Sequence, residues 1–201
     1  MNDELHKVAS YFNERADEWD ASGCSGESRA QGAVLSLVGL KPGDSVIDLG
    51  CGTGVMVPFY IAANAGRIVA VDVSEKMIAR AKDKFSGVPS VEFRACDALD
   101  LAESELFDAV VIYNAYPHFF EKQALVEKVY RLLKPEGRFV VAHGIGRAAI
   151  NRHHEAVAAG VSNGLGPVRE ESAIWEKRFD IEALVDTPGF YAFSGASKRR
   201  S

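Results

Sequence analysis

Cysteine is scarce in this chain of 201 residues: there are three, Cys24, Cys51 and Cys96, with no CxxC spacing. An odd, unclustered set excludes a disulfide framework and a cysteine zinc cage, and it points to a reducing compartment. Long apolar runs are missing as well. No stretch reaches the 18 or so apolar residues of a membrane span, and the opening MNDELHKVAS lacks the apolar centre of a secretion signal. A cytoplasmic protein without membrane contact is expected. Excess positive charge is also absent: 23 Lys plus Arg stand against 28 Asp plus Glu, a net charge of −5. The dense basic cluster Lys198-Arg199-Arg200 reads as a solvated, frayed tail. Without a basic stripe, no nucleic-acid partner is expected. Repeats and low-complexity tracts are lacking. What remains is ordinary globular composition, 47% hydrophobic and 25% charged, at a length that suits one domain with a sizeable core.

The apolar residues that are present change period along the chain. From Asp3 to Trp19, Leu5, Val8, Tyr11, Phe12, Ala16 and Trp19 recur at spacings of three and four, which predicts an amphipathic helix. The glycine- and serine-rich segment from Asp20 to Ser28 reads as a flexible linker. Residues 1–28 thus form an N-terminal extension and 29–201 the main domain. A second helix, carrying Val34, Leu35, Leu37 and Val38, stops at the turn Lys41-Pro42-Gly43-Asp44.

Short runs apolar on both faces follow: Ser45 to Leu49, Arg67 to Val71, Phe107 to Tyr113 and Gly137 to Ala142, with a weaker, alternating run at Val91 to Ala95. Such runs suit parallel strands covered by helices on both sides. Helical patterns at Val55 to Ala65, Ser74 to Phe85 and Glu121 to Leu133 lie between them. The alternation predicts a doubly wound, mostly parallel α/β sheet, Rossmann-like and seven-stranded. The last two strands, Phe179 to Val185 and Phe190 to Phe193, are separated only by Asp186-Thr187-Pro188-Gly189. So short a link cannot hold a crossover helix, so these strands must form an antiparallel hairpin.

The stretch Val46-Ile47-Asp48-Leu49-Gly50-Cys51-Gly52-Thr53-Gly54 puts three glycines at the carboxyl end of the first strand. That density suits a sharp turn or the close approach of a ligand to bare backbone. A helix beginning near Gly54 would add N–H donors and a positive dipole end. Asp72 ends the second strand, 18 residues beyond Gly54, where a carboxylate accepts from ribose hydroxyls. Ser74 fills the helix-capping role there, leaving Asp72 for a ligand. Asp97 follows the third strand in the same way and could accept an adenine amine.

These residues resemble the class I S-adenosylmethionine-dependent methyltransferases, specifically the small methyltransferase type 11 group. DLGCGTG, VAVDVSEKM, CDALDL, the stretch Phe107 to Ala115 and the stretch Leu132 to Val140 carry the resemblance, which covers roughly Leu40 to the C-terminus. The glycines are spaced GxGxG, unlike the GxGxxG of dinucleotide enzymes, and the closing hairpin also fits the family. The resemblance implies S-adenosylmethionine as cofactor. It assigns Asp48 and the backbone of Gly50, Cys51, Gly52 and Gly54 to its methionine end and Asp72 to the ribose. Val73 and Met77 would flank the adenine (helix core is the other account of Met77), Asp97 and Ala98 would read the adenine edge, and Asn114 and Ala115 would border the transferred methyl.

Methyl transfer needs alignment and sometimes a base. His118, just past the fourth strand, and His143, at the end of the fifth, are the candidate catalytic residues. His143 with His153 or His154 offers metal-ligand chemistry, but adjacent helical residues diverge by about 100° and no carboxylate or thiol joins them, so no metal is expected. Tyr113, Asn114, Tyr116, His118 and His143 would give a crevice suited to a modest polar or aromatic small molecule, and NPPY, the motif of amino-group transfer, is absent. The aromatic N-terminal helix reads either as domain packing or as a lid over the cofactor. A cofactor-binding sensor without catalysis, and a nicotinamide-dependent oxidoreductase, are the competing functions; a monomer or homodimer is expected.

Overall fold

The computed structural model describes residues 3–20, 28–102, 104, 106–157 and 160–199. Seven strands form one sheet: β1 (Ser45–Leu49), β2 (Arg67–Asp72), β3 (Val91–Ala95), β4 (Phe107–Tyr113), β5 (Leu133–His143), β6 (Phe179–Asp186) and β7 (Tyr191–Ser197). Their order is β3-β2-β1-β4-β5-β7-β6. The first five are parallel, and β7 runs antiparallel to both β5 and β6. The expected hairpin is therefore present, and it closes the sheet beside β5.

Apolar strands require cover on both faces. One face packs Ile47, Leu49, Val69, Val71, Val110 and Ile112 under α5 (Lys122–Leu132), through Leu125, Val126 and Val129. The other packs Val46, Ile68, Val111 and Val140 against Val34 and Val38 of α2 (Ser28–Val38) and Tyr60 of α3 (Val57–Ala62). Beneath the hairpin, Phe139 stacks on the fully buried Trp175 with ring centroids 4.3 Å apart, and Phe179 and Phe193 close around them. Helix α4 (Glu75–Lys84) starts where Ser74 Oγ accepts the Met77 N–H at 3.1 Å, with Glu75 in its first turn and Lys82 and Lys84 in its last.

Several expectations shift: the first helix ends at Arg15 rather than Trp19, and the last strand spans Tyr191–Ser197 rather than Phe190 to Phe193. β5 begins at Leu133, because Leu133 pairs with Phe107 before the register breaks and resumes at Ala109–Arg138. The helix expected from Val55 to Ala65 shrinks to Val57–Ala62, with turns over the preceding loop residues. Lys198, expected in a frayed tail, is fastened: its N–H donates to the Arg178 carbonyl and its Nζ to the Glu176 carbonyl. Of the expected linker from Asp20 to Ser28, residues 21–27 lie outside the described residues, as does Arg200, and Ser28 begins α2. No helix among the described residues is long and apolar enough to cross a membrane.

Candidate functional site

The carboxyl ends of β1 to β5 open into one cavity of about 700 Å³, within the range of small-molecule sites. Helix α1 (Asp3–Arg15) and the turns after it lie across it, so Leu5, Val8, Phe12 and Trp19 form its roof. Thirteen of the fourteen residues expected at the site line this cavity: Gly50, Cys51, Gly52, Gly54, Asp72, Val73, Met77, Asp97, Ala98, Asn114, Ala115, His118 and His143.

Asp48 does not line it. Side chains alternate along β1, so Asp48 turns with Val46 toward α3 while Ile47 and Leu49 face α5. It lies beneath the glycine loop, 1% exposed, with neither carboxylate oxygen hydrogen-bonded. The Tyr60 hydroxyl faces it without closing a hydrogen bond. Burial, and then the nearby Asp72 carboxylate, hold the Asp48 carboxyl up at about 7.

Asp72 is not free in the manner expected. Its Oδ1 accepts the Ser74 N–H and its Oδ2 the Gly52 N–H, each at 2.8 Å. Ser74 caps α4 as expected, but its own backbone amide needs Asp72. A carboxylate oxygen holds two lone pairs, so each Asp72 oxygen keeps one acceptor position. Burial raises the Asp72 carboxyl against the lowering pull of these amides. Asp97 likewise caps a single turn, accepting the Leu99 N–H at 2.9 Å, while still facing the cavity.

The glycine loop needs its glycines for close approach. Gly50, at φ +78°, would set a Cβ 2.5 Å from that of Ala115; Gly54, at φ +84°, would drive one into the Phe85 ring. Most of the donors expected to grip a ligand are already engaged: the Gly50 and Cys51 amides both donate to the Val71 carbonyl, and Gly54 donates to Cys51. The loop's role is thus mainly to keep side chains out of the cavity.

Past β4, Asn114 takes φ +55°, and its Oδ1 accepts the Gly144 N–H at 2.9 Å, tying the ends of β4 and β5. His118 Nδ1 lies 2.8 Å from the Val161 carbonyl, and its ring meets Phe12 edge-on at 4.9 Å and His154 at 5.1 Å. Burial brings His118 down to about 4, with the neighbouring His154 and His153 adding to the fall. His143, 3% exposed, is brought down to about 3 by burial and then by His118 and His154. Both rings are uncharged at neutral pH. Tyr116 departs from expectation: it is fully buried in the core, where its hydroxyl accepts from Trp175 Nε1 at 3.4 Å. The tyrosine is drawn inward by the aromatic cluster under the hairpin. No group of three His, Cys, Asp or Glu suited to a metal ion occurs among the described residues.

Sequence reading missed a clasp. Asp20, taken as the start of a linker, accepts from Thr53 Oγ1 at 2.6 Å and from Lys84 Nζ at 3.0 Å. Asn13 Oδ1 accepts from Ser74 Oγ at 2.7 Å, and Asp17 pairs with Arg80 at 2.5 Å. These polar residues lie on the solvent-facing side of the helical pattern, and nothing in their spacing marks long-range partners.

S-adenosylmethionine fits this donor set. Asp72 and Asp97, at two successive strand ends, face the cavity and suit a ligand with hydroxyls and an exocyclic amine, and Asp48 lies beneath the glycine loop as a buried, unpartnered carboxylate. Residues 46–137 match the family model described as methyltransferase domain. The chain is 34% identical over 110 residues to the demethylmenaquinone methyltransferase of Clavibacter sepedonicus, covering 54% of this chain and 44% of that protein. It is 31% identical over 111 residues to the ribosomal RNA small subunit methyltransferase A of Dehalococcoides mccartyi (strain ATCC BAA-2100 / JCM 16839 / KCTC 5957 / BAV1), covering 54% and 38%. The chain thus spans less than half the length of these curated relatives. The N-methyltransferase NodS from Bradyrhizobium japonicum WM9, solved with S-adenosylhomocysteine, shares the fold: TM-score 0.75, 15% identity, 95% of this chain and 98% of that one. With one relative named for ribosomal RNA, the expected absence of a nucleic-acid partner is not supported.

Proposed function

We propose that this chain, whose residues 46–137 match a methyltransferase domain, is a class I S-adenosylmethionine-dependent methyltransferase that transfers a methyl group to a small molecule. One observation carries this reading. The cavity does not end at the cofactor-binding loops but continues past Asn114 to His118 and His143. A protein that only sensed the cofactor would need no such space.

The cofactor supplies an electrophilic methyl carbon and leaves as S-adenosylhomocysteine. The chain's own residues do the rest. Asp72 and Asp97 hold the nucleoside end at the ends of β2 and β3, and the glycines clear room beside them. The Asn114–Gly144 bond fixes the rim where the two halves of the cavity meet. Helix α1 covers part of the site and limits its contact with solvent, which favours alignment of the reactants. The modest volume of the cavity, about 700 Å³, supports a low-mass acceptor over a nucleic-acid or protein one.

Methyl-tritiated S-adenosylmethionine, incubated with the protein and with separated small-molecule, RNA and protein fractions of a cell extract, tests this. Label should enter the small-molecule fraction. Label confined to RNA or protein, or retained wholly on the cofactor, would contradict it.

A further inference from the structure

The far half of the cavity has a chemistry of its own. Its walls are α1, the turn at residues 116–118, the end of β5 and α6 (Arg147–Val157). Phe12, Phe119 and Ile150 make it apolar, and Tyr113, His118, His143 and His154 are among its polar groups. The lining carboxylates and lysine, namely Asp20, Asp72, Asp97 and Lys84, all stand at the β1–β3 end. A charged molecule entering the far half would lose its water with no opposite charge to meet it.

His118 supplies a specific contact. A carbonyl oxygen only accepts, so the 2.8 Å contact with Val161 places the ring's hydrogen on Nδ1. In an uncharged ring Nε2 is then a bare acceptor. Phe12 and His154 brace the ring from two sides, so this acceptor is held in place. His143 Nε2 and the Tyr113 hydroxyl, both buried without partners on residues that line the same cavity, add unspent polar capacity.

Resting on the methyl-transfer reading above, we propose that this half is the acceptor subsite, and that it takes an uncharged molecule with an aromatic or apolar body whose hydroxyl or N–H hydrogen is donated to His118 Nε2. His118 is then the residue that orients the methyl-accepting atom and discriminates against acceptors lacking that hydrogen.

Four probes of one shape test the proposal: 4-methylphenol, 4-methylanisole, 4-methylbenzoate and 4-methylbenzylammonium. Each is titrated by ligand-observed NMR into the full chain saturated with S-adenosylhomocysteine, whose binding is first verified by calorimetry. The phenol should bind about tenfold more tightly than the other three. His118→Phe should bring the phenol and the anisole to within about twofold while S-adenosylhomocysteine affinity holds, and His118→Gln, which retains an acceptor oxygen, should restore part of the gap. Wild-type protein that binds S-adenosylhomocysteine but prefers the anisole or either ion, or binds none of the four, overturns the proposal. So does a His118→Phe variant with the full preference intact. Failure to bind S-adenosylhomocysteine would instead bring down the methyl-transfer reading, and this one with it.

Discussion

Asp48 states the site's electrostatic problem at the scale of one residue. Its carboxyl is buried without a hydrogen bond and held at about 7, against 3.8 for the free group. Between those values the folded chain keeps a proton that the unfolded chain releases, so this group's contribution to stability falls as pH rises through that window. Above pH 7 the folded protein carries a buried, unpaired charge. Asp48→Asn should therefore stabilise the ligand-free protein by on the order of 2–3 kcal/mol more at pH 8 than at pH 5. Denaturant midpoints at the two pH values check this; equal shifts at both would show that Asp48 is not the proton-holding group. The residue scale is also where sequence reading was most and least successful. Asp72 and Asp97 stand where strand ends must place them, because strand and turn boundaries are written in local apolar runs. Their engagement with Gly52, Ser74 and Leu99 was not legible, because backbone amides carry no letter in the sequence. Tyr116 was misplaced for a related reason: a tyrosine among polar residues gives no sign that an aromatic cluster some 60 residues away will bury it.

At the scale of elements, α1 is held on the domain by short-side-chain acids and an amide rather than by apolar contacts alone. Asn13 reaches the cap of α4, Asp17 reaches Arg80, and Asp20 bridges Thr53 of the glycine loop to Lys84. Exposed ion pairs contribute little to global stability. Their effect should appear where they tie two moving parts together. Asp20→Ala should lower the thermal midpoint by less than about 2 °C while weakening S-adenosylhomocysteine binding about three- to fivefold. Calorimetric titration alongside a melting curve separates the two effects. An unchanged affinity would show that the roof does not serve the cofactor half. The helix itself was legible from its spacing of aromatic residues, and so were β1, β3 and β4 to their end residues. The limits of β5 and α3 were not, since Leu133 is recruited to the sheet by Phe107 and the turns after Gly54 delay the helix.

The whole molecule joins these parts by one rule of topology. A parallel sheet sends the loops that follow its strands to one end, and a reversal of strand order beside β1 leaves a crevice there. On the proposed reading the cofactor half of the cavity lies toward β3 and the acceptor half toward β5, with the methyl-transfer point between them at Asn114 and Ala115. The hairpin β6–β7, anchored by Trp175 and Phe139, supports the β5 side from which His143 faces the cavity. The central claim is that this crevice binds S-adenosylmethionine through Asp72. The direct measurement is calorimetric titration of S-adenosylmethionine and S-adenosylhomocysteine into the wild-type chain and into Asp72→Asn, which keeps the size of the side chain and removes its charge. Micromolar binding by the wild type, weakened at least tenfold in the variant while both proteins melt cooperatively, is the predicted result. A folded wild type that binds neither ligand, or a variant that binds both as tightly as the wild type, would contradict the account.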